Sequence, residues 1–190
     1  YDVMGGVGTK TISGTMPASV RAQQNKAYAP TGSQYINLSG ANFYDASGWW
    51  IGQWIKFTAS GDTRNECCSN ANGYWFHLAY NRGSAGKPEA FSYDGTNRYA
   101  IGTTTVNDGK WHFCIAEIKY GTHVRIWVDG RLEATTALGA WASTINTQAQ
   151  YAFADRDAGS KITGKCDWMY GKGPMTSEKA QMLYYGTYRN

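Results

Sequence analysis

Charge is scarce in this sequence, and so is proline: Asp, Glu, Lys and Arg make up 17% of 190 residues, and there are four prolines. Low charge combined with 42% hydrophobic and 15% aromatic residues excludes an intrinsically disordered chain. The 18 basic and 14 acidic residues leave a formal charge of +4, with the basic side chains scattered singly. A nucleic-acid binder carries a basic stripe or a recognisable motif, so no nucleic-acid partner is expected. No apolar run approaches the roughly 20 residues that cross a bilayer, so a soluble chain without membrane insertion is expected.

Histidine and cysteine are equally sparse. None of His77, His112 and His123 sits near a Ser or Cys in a nucleophile setting such as Gly-x-Ser-x-Gly, so a catalytic triad is unsupported. Glycoside hydrolysis needs two carboxylates about 5 to 10 Å apart, usually at alternate positions of a strand. The glutamates, Glu66, Glu89, Glu117, Glu133 and Glu178, are scattered instead. No catalytic residue is assigned, and the chain is expected not to be an enzyme.

None of Cys67, Cys68, Cys114 and Cys166 has the Cys-x-x-Cys spacing of a zinc site. They could form two disulfides in an oxidising compartment, the adjacent pair Cys67-Cys68 bonding outward to the other two. Alternatively, Cys114 is a small buried residue in a strand. The chain starts at Tyr1 without an initiator Met, as a processed terminus or an internal fragment would. Secretion with cleavage, or maturation in a virus particle, would produce such a start.

What the sequence has in quantity is glycine, 23 residues, among aromatic and β-branched segments. Such a composition suits many short strands joined by tight turns. Residues 1–32 hold Gly5, Gly6, Gly8 and Gly14 among small polar residues, with no Trp, and read as an amino-terminal arm or edge segment. Residues 33–190 read as one domain. Strands are expected at 34–38, 49–57, 74–80, 90–93, 98–103, 111–118, 123–128, 132–137, 150–154 and 165–170. Turn signals such as Asp94-Gly95 and Asp129-Gly130 separate them. Residues 174–184 read as one short helix, capped by Thr176 or Ser177 with Glu178 in its first turn.

The most informative stretch is Asp108-Gly109-Lys110-Trp111-His112, followed by Val128-Asp129-Gly130. These residues resemble the laminin G-like, concanavalin A-like lectin/glucanase superfamily, in which the first run opens a strand and the second closes a later one. The likeness extends from about Gln34 to Tyr188, is densest from Phe91 to Leu132, and does not cover the arm. It implies an all-β, two-sheet antiparallel jelly-roll sandwich with one short C-terminal helix, a fold used more to hold glycans and proteins than to transform them. By the same likeness His112 is a strand residue with a structural hydrogen bond. It also raises calcium at the rim, through Asp155 and Asp157 with Asp94 more remote. No cofactor or metal is assigned.

A sandwich strand normally buries one face and wets the other. Residues 49–57 break that rule, with Trp49, Ile51, Ile55 and Phe57 on one parity and Trp50, Trp54 and Lys56 on the other. Residues 74–80 likewise set Trp75, His77 and Ala79 against a fully apolar face. Large rings beside polar residues are how a sugar-stacking surface is composed, because axial C–H patches of a sugar lie flat on an indole. The ligand-binding candidates are therefore Trp50, Trp54, Trp75 and His77, then Arg125 and Trp127. If Asp129-Gly130 is a two-residue turn, Trp127 lies opposite Leu132 and belongs to the core. The expected function is non-catalytic recognition, lectin-like, on a cell-surface, secreted or virion protein whose partner is a glycan or protein surface. Two alternatives stand beside it. One is a structural subunit of an extracellular or viral particle, with its exposed rings buried by protein contacts or its arm building a homo-oligomer. The other is a polysaccharide-cleaving enzyme.

Overall fold

The computed structural model describes residues 45–58, 76–82, 84–140 and 169–186 with their side chains, and the backbone alone at 11–13, 35–37, 63–69, 75, 151–152, 165–166 and 187. The strands are β1 (Thr11–Ser13), β2 (Tyr35–Asn37), β3 (Trp49–Lys56), β4 (Thr63–Ser69), β5 (Trp75–Tyr80), β6 (Pro88–Tyr93) and β7 (Asn97–Ile101). They continue with β8 (His112–Lys119), β9 (His123–Val128), β10 (Arg131–Ala137), β11 (Tyr151–Ala152), β12 (Lys165–Cys166) and β13 (Met169–Lys172). One helix follows, α1 (Ser177–Thr187).

The larger sheet has the order β10-β9-β8-β3-β12, with β13 also pairing to β3, and the smaller has the order β4-β5-β6-β7. A three-stranded ladder, β1-β2-β11, accompanies them. Every pairing is antiparallel, as expected for an all-β sandwich built from hairpins. The turn between β9 and β10 has two residues, Asp129 at φ 49° and Gly130 at φ 79°. Left-handed conformation at both positions is the type I′ geometry that matches strand twist, and only glycine adopts it without cost.

Alternation then divides the side chains between layers. Trp49, Ile51, Ile55 and Phe57 face Phe76, Leu78, Tyr80 and Ala90 across the sandwich, joined by Cys114, Ala116, Ile118, Val124, Ile126 and Val128. Gln53 lies among them, its buried side-chain carbonyl accepting the Tyr80 hydroxyl at 2.9 Å. The two sheets also meet along one margin, where Thr136 on β10 donates to the Tyr99 carbonyl of β7 at 2.6 Å. Glu133 on β10 accepts the backbone N–H groups of Thr103 and Thr104 there.

Three expectations change. Cys114 carries a free thiol inside the core, so the arrangement that pairs all four cysteines gives way to the reading of a small buried strand residue. Burial pushes this thiol well above its ordinary 9.0, which keeps it protonated. Residues 63–69, left outside the expected strands, form β4, and the single strand foreseen at 165–170 is two short ones, β12 and β13. Among the described residues no helix is long and apolar enough to cross a membrane.

Candidate functional site

The six proposed ligand-binding residues fall on strands of two different sheets. Trp50, Trp54, Arg125 and Trp127 lie outward on the larger sheet, whereas Trp75 and His77 belong to β5 of the smaller one. On the larger sheet the expected open surface is absent: Trp50, Trp54 and Trp127 are 5%, 0% and 3% exposed. They form a second apolar cluster with Phe113, Ile115, Met169, Met175 and Ala180. Helix α1 and its lead-in supply the cover. Tyr184 stacks on Trp54 at 5.5 Å between ring centroids, and the Lys179 ammonium lies 5.3 Å from the Trp50 ring.

The lead-in is pinned by a residue that was not singled out. Glu117 on β8, fully buried, accepts the Trp127 indole N–H at 3.1 Å and the Met175 backbone N–H at 2.9 Å. His123 and Arg125 stand 3.6 and 3.7 Å from the same carboxylate. Desolvation is the main cause that lowers the His123 pKa, helped by the neighbouring Arg125 charge and opposed by Glu117. Trp127 is also opposite Leu132 across the two-residue turn, as the turn length implies. Its indole is core, while Leu132 itself is exposed.

The smaller sheet carries a different arrangement. Antiparallel register sets His77, Phe91 and Tyr99 side by side across β5, β6 and β7. His77 stacks on Phe91 at 4.5 Å with planes 22° apart, and Phe91 meets Tyr99 at 5.0 Å. The turn after β5 brings Arg82 over this row, its guanidinium carbon 4.5 Å from the Phe91 centroid and 5.5 Å from that of Tyr99. Two contacts fix it there. Nη1 donates to the buried Glu89 carboxylate at 3.2 Å and lies 3.1 Å from His77 Nε2. The same His77 nitrogen stands 3.9 Å from the Glu89 carboxylate, so the three side chains meet at one point. Among the described residues, nothing bonds to Nε or Nη2 of Arg82, and its side chain remains 23% exposed.

His77 is therefore part of a built cluster, and the side chain of Trp75 lies outside the described residues. Asp155 and Asp157, the rim aspartates considered for calcium, lie outside them as well. Asp94 has both carboxylate oxygens occupied, by Arg98, by the Thr96 N–H and by the Gly139 N–H. Among the described residues no three acidic, His or Cys side chains gather as a metal cluster. His112 makes the structural bonds expected of it, with Nδ1 2.9 Å from Asp129 and Nε2 3.2 Å from Asp108.

Against known proteins, the family model described as the concanavalin A-like lectin/glucanases superfamily matches residues 30–169. The chain belongs to that superfamily. No curated protein matches by sequence. Several solved structures resemble this member of the superfamily. Domain 4 of AbnA, a GH43 extracellular arabinanase from Geobacillus stearothermophilus solved with arabinotriose, gives a TM-score of 0.74 at 16% identity, covering 95% of this chain and 90% of that one. The receptor-binding domain of botulinum neurotoxin mosaic serotype C/D gives 0.65 at 12% identity, with 94% and 46% covered. The binding domain of Paraclostridial Mosquitocidal Protein 1 gives 0.69 at 10%, with 93% and 47% covered. The chain spans just under half the length of both toxin domains. At these identities the likeness establishes the fold.

Proposed function

We propose that this superfamily member is a non-catalytic carbohydrate-recognition module that binds its ligand on the outer face of β5, β6 and β7. The observation that carries the reading is the Arg82 guanidinium, 4.5 Å from the Phe91 ring centroid and 5.5 Å from that of Tyr99, on a side chain that stays 23% exposed and whose Nε and Nη2 meet no partner among the described residues. Phe91 is fully buried beneath the guanidinium, so the apolar bed for sugar C–H groups is the half-buried Tyr99 ring, with Arg82 N–H groups beside it for hydroxyls. Because Glu89 and His77 already fix Arg82, little conformational entropy remains to be lost on binding. Support from elsewhere is of one kind: the arabinanase domain of the same fold is named in complex with arabinotriose. An extracellular setting accords with that neighbour and with the toxin binding domains.

The buried carboxylates support a non-catalytic role. Glu89 and Glu117 occupy outer faces of opposite sheets, and each already faces an arginine. They are not the paired acid and base that glycoside hydrolysis requires.

The test is calorimetric titration with arabinotriose and a panel of plant and bacterial oligosaccharides. Binding should weaken roughly tenfold or more in Arg82→Ala and in Tyr99→Ala, since losing one good contact removes about 1.4 kcal/mol. Binding that persists in both variants would move the site elsewhere. A reading as an assembly subunit draws on one observation, that Met182 and Tyr185 on α1 are 66% and 69% exposed near the β9–β10 turn. Native mass measurement distinguishes it, because that reading requires an oligomer.

A further inference from the structure

The cluster around Arg82 also bears on which glycans the face selects. A lone arginine over aromatic rings would select acidic sugars, whose carboxylates or sulfates pair with guanidinium in a bidentate fashion. Here the charge is already matched. The Glu89 carboxylate is 1% exposed and lies 3.2 Å from Arg82 Nη1. His77 Nε2 lies 3.1 Å from the same Nη1 and 3.9 Å from the same carboxylate. The guanidinium and the buried carboxylate therefore form a matched pair of opposite charges.

Resting on the recognition reading above, we infer that the ligand is a neutral saccharide, bound through adjacent hydroxyls on the free Nε and Nη2 edge of Arg82, and that acidic glycans are rejected. The geometry gives two reasons. An incoming carboxylate would meet Arg82 on one side and feel the buried Glu89 charge behind it, in a region of low dielectric where that repulsion is poorly screened. A hydroxyl pair meets no such penalty, since it accepts from the N–H edge without bringing charge. The scattered surplus of basic residues that gives the chain +4 attracts polyanions only diffusely, and that attraction is screened at about 0.15 M salt.

The experiment sets neutral ligands (arabinotriose, xylohexaose, cellohexaose) against acidic ones (oligogalacturonate, heparin hexasaccharide) at low salt and at about 0.15 M salt. The expected result is neutral binding that survives salt and falls roughly tenfold in Arg82→Gln, with acidic binding absent or lost in salt and insensitive to that variant. Salt-resistant binding of an acidic ligand that falls in Arg82→Gln would overturn the inference while leaving glycan recognition intact. Binding of nothing in either set would overturn the recognition reading and this inference with it. Glu89→Gln gives an independent measurement, because it uncovers the guanidinium charge. Affinity for oligogalacturonate should rise roughly tenfold in this variant, and no rise in a folded protein would overturn the charge-matching argument. If Glu89→Gln does not fold, the wild-type salt comparison still decides.

Discussion

Gly171 sits across from Trp50 in the β13–β3 ladder, and a Cβ built there would fall 2.2 Å from the indole. The ring is held between that backbone and Lys179, so it has nowhere to move. Gly171→Ala should therefore destabilise by about 1 to 3 kcal/mol, the usual cost of overpacking a closed core, as read from urea denaturation. His112 makes a prediction of a different kind. Its hydrogen bond to Asp129, then the charges of Asp129 and Asp108, raise its pKa above the ordinary 6.5 against an opposing desolvation. A raised folded pKa means the stabilisation is complete below about pH 6.5 and fades as pH climbs through the folded value. His112→Gln should flatten that part of the stability profile, and a profile unchanged by the substitution would remove the pair's role. At this scale the sequence was only partly readable. The histidine's structural role followed from its place in Asp108-Gly109-Lys110-Trp111-His112. The cluster of Arg82, Glu89 and Phe91 did not, because it is assembled by register between β5 and β6 and by a turn residue, and none of these leaves a local spacing to notice.

Helix α1 explains why the aromatic face of β3 misled. Period-two alternation correctly assigns Trp50 and Trp54 to the outward side, but alternation says nothing about what later packs there. The helix does so with Ala180, Leu183 and Tyr184, and its own start is set by Thr176, whose hydroxyl accepts the Lys179 N–H at 3.2 Å. Helix and rings are thus one packing unit, tethered through Glu117. Glu117→Ala should leave the Trp127 and Met175 N–H groups buried without partners, at about 1 to 3 kcal/mol each. The expected signature is a lowered melting temperature together with red-shifted tryptophan emission as Trp54 and Trp50 gain water. Unshifted emission in a destabilised variant would place the tether elsewhere. Most strand positions were legible because turn residues punctuate them. Strand β4 was not, since Thr63–Ser69 is rich in polar residues and lacks an alternating pattern.

For the molecule as a whole, two sheets and a covering helix make two apolar layers, which take Trp49 into one and Trp50, Trp54, Trp111 and Trp127 into the other. The superfamily was readable because its turn residues stand close together in sequence. The division of the six candidate residues between two sheets was not, since strand order in space places β3 and β5 in different sheets. If Met182, Tyr185 and Leu132 are an assembly surface, native mass spectrometry should give a dimer or larger that Tyr185→Glu returns to the monomer. A wild-type monomer would retire that reading.

The stitched margin between β10 and β7 has a consequence for behaviour at high concentration. Outermost strands are where foreign chains add on and fibrils begin, because their peptide groups stand ready to pair. Along this border Thr136 and Glu133 already engage the neighbouring layer. Glu133→Ala and Thr136→Val together should unzip it, and thioflavin-positive aggregates should then form under agitation that leaves the parent protein clear.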